Sequence, residues 1–460
     1  MSKFSTRPPS GTRDFLPVDI ARRRYVTSLI EEVYEGHGFV PIETPSIENL
    51  STLLGKYGEE GDQLLYRLLH RRDALKRAVE GAREQGRAAL EGELADQGLR
   101  YDLTVPLARV VAQYGDLPRF FKRYQIQPVW RADRPGKGRF REFYQCDVDI
   151  TGTTSLVAEA EVCSAVASVL ERLGFKEFTI KLNHRELLRA IIATAGIDPD
   201  LEGTALVAVD KLDKIGRDGV ATELADRGIS SESATVLLDL IAPTEGSSDN
   251  ATELARLRAA VTDPRGAPAL DDLERLCSLA AGTPAGARLR IDPALARGLS
   301  YYTGPIFEIS VEQLRGSLGG GGRYDDLVGM FGKRKVPAVG FSLGLERILV
   351  VMEEQEMYPP LRVGPQMLLC WMGVEEGEVM ATASRLRAQG VAVEVFPEPA
   401  KLKKQLQYAA AAGVAVPFAG ILGESELAAG EITIKQLATG EQRRVPIDDV
   451  AAALADATDR

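Results

Sequence analysis

FKRYQIQPVWRADRPGKGRFREFYQCDVDITG, residues 121–152, is the stretch on which the reading of the chain turns. Two β-rich runs, Arg119 to Arg131 and Phe140 to Ile150, flank the polar segment ADRPGKGR, a pattern that predicts a long antiparallel hairpin. Its charges are segregated. The first strand ends in Arg131, the loop holds Asp133, Arg134, Lys137 and Arg139, and the return strand carries Gln145, Asp147 and Asp149. Arginine on a rigid strand suits bidentate grip of a phosphate, and carboxylates two residues apart on a strand share a face. They can receive an ammonium or an imidazole N–H. A plain hairpin with solvated charges has the same pattern, because strand faces alternate polar and apolar by default.

Upstream, residues 19–35 predict an amphipathic helix, with Val26, Leu29, Ile30, Val33 and Tyr34 on one face and Gly36 and Gly38 ending it. A short strand from Phe39 to Ile42 leads to Thr44-Pro45, where the proline fits a strand edge or an interface. The charged, helix-prone residues 63–97 predict an exposed helical hairpin, followed by a strand from Leu99 to Val105 and a helix from Pro106. Downstream come a helix over 155–173, a strand over 177–182 and a helical block over 185–285, read as an insertion. Strands return at Arg288 to Ile291, Tyr302 to Val311, around the glycine run 319–322 and at Pro337 to Leu343, leading into a helix through Glu346 and Arg347. The glycines either admit a ligand close to the backbone or mark a tight turn.

Pro359-Pro360 marks a linker. Beyond it, strands near 366–372, 391–396, 414–420 and 431–437 alternate with helices near 376–389, 400–412 and 447–457, predicting a small α/β domain with a largely parallel sheet. Lys401, Lys403, Lys404, Lys435, Arg443 and Arg444 make a candidate phosphate-binding surface there.

The 460 residues exceed what one core usually supports, and 45% apolar with 27% charged residues is ordinary globular composition. No apolar run is long enough for a membrane span and the N-terminal stretch has no signal-like core, so a cytoplasmic protein without membrane contact is expected. Four separated cysteines argue against a zinc site or disulfide framework, and three histidines give a triad little material. A net charge of −10 disfavours nucleic acid only until local cation clusters are considered.

The 121–152 run resembles motif 2 of class II aminoacyl-tRNA synthetases in its histidyl-tRNA synthetase form. SGTRDFLP, the helix with GFVPIETP, LRYDLTVP at 99–106, ARGLSYYTGPIFE at 296–308, GGGRYDDLVGMFG at 320–332 and GFSLGLERI follow in that family's order. FPEPAKLKKQLQYA and GESELAAGEITIKQLATGEQ are similar to its anticodon-binding domain. The resemblance implies a class II catalytic domain over 1–355, an α+β core on an antiparallel sheet interrupted by a helical insertion at 185–285, and an anticodon-binding α/β domain over 362–460.

It also implies a homodimer that joins L-histidine to tRNA(His) with ATP and Mg²⁺. Arg131 and Arg347 then grip ATP phosphates, with Asp133 and Arg139 in the ATP site, and Arg297 lies beside the α-phosphate and the substrate carboxylate. Asp102, Thr104 and Gln145 match the residues holding the α-amino group. Asp149 and Tyr302 match the pair that bonds the imidazole, with Tyr301 and Tyr324 lining the histidine pocket. No metal-ligand residues are singled out. Ser300 stands where most relatives have aspartate, and Asp102 and Asp149 stand where many bacterial members have glutamate.

These roles have a physical warrant. Adenylation brings a carboxylate to an α-phosphate, and fixed guanidinium groups offset both the repulsion and the charge that develops. A pocket that pairs both imidazole nitrogens rejects amino acids without them, by factors reaching roughly 10⁴ to 10⁵. The main rival is a catalytically silent, histidine-sensing regulatory paralogue; the second is a related synthetase for another amino acid. The C-terminal domain and the retained Arg131, Arg297 and Arg347 oppose the first, and RGLSYYTG opposes the second.

Overall fold

Val26, Ile30, Val33 and Tyr34 recur at helical spacing, and in the computed structural model they are the buried face of a helix over Pro17–Gly36. The model describes residues 5–86, 88, 90–242, 249–296, 301–314, 316–332, 334–411 and 416–458. The chain divides into two compact units, Met1–Asp14 with Arg22–Pro359, and Phe15–Ala21 with Pro360–Arg460.

The first unit is built on an eight-stranded sheet. In spatial order its strands are Val40–Pro41, Phe121–Trp130, Glu142–Thr151, Ala338–Gly344, Ser317–Arg323, Pro305–Ser310, Thr179–His184 and Leu289–Ile291. Pairing is antiparallel except at the two edges, where Val40–Pro41 and Leu289–Ile291 each run parallel to a neighbour. The hairpin predicted from residues 121–152 forms its centre, with Phe121 opposite Thr151 and Trp130 opposite Glu142. Cys146, Val148 and Ile150 turn one way into the main apolar core, against Val26, Ile30 and the helix Val157–Arg172. Truncating Ile30 to alanine there would cost about 2–5 kcal/mol.

Six helices between Arg185–Thr194 and Gly266–Ala280 make up the predicted helical block. Leu187, Leu224, Leu237 and Leu273 join the same core as the sheet, so the block does not bury a core of its own. Asn183 ties the strand end to the segment before the predicted Arg297, donating to the carbonyls of Pro293 and Leu295.

Two expectations for this unit are corrected. Residues 63–97 are not a helical hairpin: strand Ala95–Leu99 lies between Ile47–Asn49 and Arg67–Leu69 and pairs with both in a three-stranded sheet, and helix Asp73–Glu84 stands between Arg67–Leu69 and Ala95–Leu99 in the sequence. Gly98 allows that pairing, since a Cβ there would stand 2.8 Å from the Tyr66 carbonyl oxygen. The strand expected over Leu99 to Val105 stops at Leu99, and a helix begins at Thr104, because the Asp102 carboxylate accepts the Val105 N–H at 3.1 Å and caps it. The glycine run lies inside the strand Ser317–Arg323, in line with the expected β signal, and not in the tight turn that was its alternative; a Cβ at Gly319 or Gly321 would overlap carbonyls of the neighbouring strand.

The second unit holds a five-stranded sheet ordered Val393–Val395, Met367–Trp371, Phe418–Leu422, Glu431–Gln436 and Gln442–Pro446. It is mixed rather than largely parallel. The first three strands are parallel, but the last two add antiparallel. The helix between Phe418–Leu422 and Glu431–Gln436 has six residues, too short a connection for the crossover that a parallel strand needs.

Candidate active site

Strand register assembles the polar face of the central sheet. Pairing sets Arg123 opposite Asp149, Gln125 opposite Asp147 and Gln127 opposite Gln145. On the other flank Gly340 faces Asp149 and Ser342 faces Asp147. With side chains alternating along each strand, these residues share the face opposite Cys146, Val148 and Ile150.

Asp149 is 2% exposed and Arg123 fully buried. Their ion pair measures 2.8 Å from Nη2 to Oδ2, and the Tyr324 hydroxyl donates to Oδ1. Gly340 makes room for this, since any Cβ there would overlap the Asp149 carboxylate. Asp147 lies 4.0 Å from the same guanidinium. Burial pushes its carboxyl up to about 7 against the pull of Arg123, with Asp149 adding to the rise. Burial also raises Asp149, opposed by Arg123 and by the Tyr324 hydrogen bond. Gln145 donates to the Ser342 hydroxyl at 2.6 Å. Arg123 Nε, Gln145 Oε1 and Asp147 Oδ1 are buried without hydrogen-bond partners. Each such atom costs about 1–3 kcal/mol, so the cluster suits a polar ligand that pairs with it.

A second carboxylate closes the other end. Asp102 accepts from the Tyr57 hydroxyl at 3.1 Å and from Tyr301 at 3.4 Å, besides the Val105 N–H. Burial raises its carboxyl, offset by the Val105 N–H and by Arg131. Thr104, at the helix start, stands beside the Tyr301 hydroxyl. Tyr301 bridges the two ends, its ring 6.0 Å from Tyr324 and 5.0 Å from Tyr302. Gly322 leaves space for Tyr302, as a Cβ would sit 2.9 Å from its Cδ1.

The cations line the hairpin mouth. Arg131 donates from Nε to the Tyr101 carbonyl at 3.1 Å, and its guanidinium lies 4.2 Å over the Tyr101 ring and 5.2 Å from that of Phe143. Arg347 donates to the Ser317 carbonyl, and its stem lies against Gly138 of the hairpin loop. Arg139 pairs with the buried Asp133 at 2.8 Å. Glu346 fixes the helix Leu345–Glu354 to the return strand, accepting the Tyr144 N–H at 2.9 Å and pairing with Arg23 at 3.0 Å.

The structure thus gathers Asp102, Thr104, Gln145, Asp149, Tyr301, Tyr302 and Tyr324 around one polar face, with Arg131, Asp133, Arg139 and Arg347 at the hairpin and its loop. Arg297 and Ser300 lie outside the described residues. Sequence reasoning passed over Arg123, Tyr57, Ser342 and Gly340. Arg123 was within reach, because Arg123, Gln125 and Gln127 repeat with the same period of two as Gln145, Asp147 and Asp149. Tyr57 and Gly340 carry no such signal. Among the described residues no cluster of three or more His, Cys, Asp or Glu is placed to hold a metal ion.

Carboxylates at both ends suit an amino acid with an ammonium and a protonated ring nitrogen, and the arginines suit phosphate. The comparisons with known proteins agree. The histidyl-tRNA synthetase family model matches residues 91–348 and the anticodon-binding-domain model matches residues 371–457. The histidine–tRNA ligase of Bacteroides fragilis (strain YCH46) is 43% identical over 97% of this chain and 98% of its own length. That of Porphyromonas gingivalis is 43% identical over 96% and 97%. The crystal structure of histidyl-tRNA synthetase from Nostoc sp. PCC 7120 superposes with a TM-score of 0.78 at 28% identity, covering 99% of this chain and all of that one. The chain belongs to the histidyl-tRNA synthetase family, the class II aminoacyl-tRNA synthetases that activate histidine with ATP and transfer it to tRNA.

Proposed function

We propose that the polar face between Asp102 and Asp149 is the histidine pocket. Asp102, with Thr104 and Gln145, receives the α-ammonium, while Asp149 accepts a hydrogen bond from the imidazole ring between Tyr302 and Tyr324. The observation that carries this reading is the buried Arg123–Asp149–Tyr324 arrangement, a fixed acceptor facing unpartnered polar atoms. Arg131 and Arg347 bind the phosphates of ATP, Arg139 and Asp133 hold the hairpin loop against the nucleotide, and Arg297 bridges the substrate carboxylate and the α-phosphate.

Mg²⁺ enters as part of the nucleotide substrate. A cation coordinated by phosphate oxygens and water needs at most one or two protein carboxylates, which fits a site whose described residues offer arginines rather than an acidic cluster. The catalytic domain corresponds to 1–355, with 185–285 inserted in it, and 362–460 binds the anticodon. The enzyme works in the cytoplasm as a homodimer. The exposed apolar side chain of Val40, on the edge strand Val40–Pro41, supports a two-fold contact along that edge.

Single-turnover kinetics of the two half-reactions test the assignment. Arg297→Lys should slow adenylation by about 10² to 10³, as loss of a preorganised bidentate donor does, with histidine and ATP affinity changed only a few fold. Transfer from preformed adenylate to tRNA should change far less. Equal loss in both steps, or a loss confined to histidine binding, refutes the role of Arg297.

A further inference from the structure

The segment between Tyr66 and Ala95 is basic in an acidic chain. From residue 67 to 83 it has six Arg and Lys against two Asp and Glu, while the whole protein carries −10. Its helix Asp73–Glu84 buries only Ala82, and Arg71, Arg72, Lys76, Arg77 and Arg83 are exposed. Lys76 and Arg83, seven residues apart, lie along one side of the helix over roughly 10 Å, and Arg71 and Arg72 stand at its N-terminal end.

Fold stability does not account for these cations. Arg71 and Arg72 stand at the helix N-terminus, where the helix dipole disfavours positive charge, and Arg72 adopts φ 52°, a left-handed conformation unfavourable for a side-chain-bearing residue. The ion pair Lys76 to Glu80, at 3.7 Å, is solvent-exposed. Such a pair contributes little.

The chain leading into this segment is anchored beside the pocket. The Leu64 carbonyl accepts the Ala132 N–H at 2.9 Å, joining it to the loop that bears Arg134, Lys137 and Arg139. From just upstream, Tyr57 donates to Asp102. Transfer requires the tRNA 3′ end to reach the adenylate, so the sugar-phosphate backbone leading into the pocket must pass its rim.

We infer that the helix Asp73–Glu84, with Lys76 and Arg83 on one side and Arg72 at its N-terminal end, is a contact surface for the tRNA backbone next to the reacting end. The inference rests on the pocket assignment above. Exposed cations of this kind neutralise phosphates, so the contact supplies affinity more than specificity.

The test is a triple charge reversal, R72E/K76E/R83E, on exposed positions of the full chain. Histidine-dependent ATP–pyrophosphate exchange and tRNA charging are measured in parallel between 50 and 200 mM salt. Exchange should stay within twofold of the parent. KM for tRNA should rise about tenfold or more, and the salt dependence of log(kcat/KM) for tRNA should flatten by about two to three units, near the 0.7 to 0.9 expected per phosphate contact. Unchanged tRNA KM and salt slope would overturn the inference, as would parallel loss of exchange and charging, which places the effect in the fold. Asp149→Asn, run alongside, separates the two readings: if it leaves exchange intact, the pocket assignment fails, whatever the triple variant does to tRNA.

Discussion

The two sheets of this chain use their interiors in opposite ways. In the C-terminal unit, Met367–Trp371 and Phe418–Leu422 are apolar and buried at every position, and the cations Lys403, Lys404, Arg443 and Arg444 sit outside on exposed positions. In the catalytic unit, the strand Glu142–Thr151 is buried at every position from Gln145 onward, yet that part carries Gln145, Asp147 and Asp149 on one face, with Arg123 opposite. Two carboxylates and one guanidinium held nearly free of water are an expensive way to build a sheet, since desolvation costs several kcal/mol per ion. The difference separates the two proposed binding modes: the polar groups of the catalytic sheet are kept in its interior, and the cations of the C-terminal unit on its surface.

The comparison breaks most sharply at Arg123. Arg123→Met leaves Asp149 and Asp147 without their counter-charge and should destabilise the catalytic unit by about 3–5 kcal/mol. Lys404→Ala in the other unit removes an exposed 2.6 Å pair with Glu398 and should change stability by no more than about 0.5 kcal/mol. Urea unfolding of both variants measures the contrast, and similar losses would mean that the buried charges are not coupled as described.

A smaller effect sharpens it. The Asp147 carboxyl is raised by burial to about 7, so between about pH 4 and 7 the folded chain binds a proton that the unfolded chain has released. This group's contribution to stability is therefore largest at low pH and is lost as pH rises through 7. Asp147→Asn lacks that dependence. Relative to the parent it should gain on the order of 1 kcal/mol or more between pH 5 and pH 8, read from unfolding midpoints at each pH. A difference that does not vary with pH would show that Asp147 does not titrate in this window.

Much of this was legible in the sequence because the signals are local. The hairpin declares itself by two β-rich runs around a Pro-Gly loop, and the helix Pro17–Gly36 by its apolar spacing. The site residues were named by resemblance, and register then showed why they converge. What stayed hidden depends on contacts distant in sequence. Helix-prone composition at 63–97 gave no hint that Ala95–Leu99 would pair with both Ile47–Asn49 and Arg67–Leu69, since strand pairing across that gap is a tertiary choice. Gly340 looks like any glycine until the carboxylate of Asp149, 191 positions away in sequence, is seen to fill the space of its missing side chain. The strand over Leu99 to Val105 was misread because one carboxylate, Asp102, both caps a helix and lines the pocket.

The central claim is that the buried charge of the catalytic sheet reads the imidazole ring, and substrate discrimination tests it most directly. The measurement is the ratio of kcat/KM in ATP–pyrophosphate exchange for histidine over β-(2-thienyl)alanine, which has a similar ring but no ring N–H, in the parent and in Asp149→Asn. Loss of a charged acceptor from a buried hydrogen bond should cost about 2–4 kcal/mol for histidine alone, so the ratio should fall by roughly 30-fold to several hundredfold. If both substrates lose activity equally and the ratio holds, Asp149 supports the fold without reading the ring, and the account is wrong.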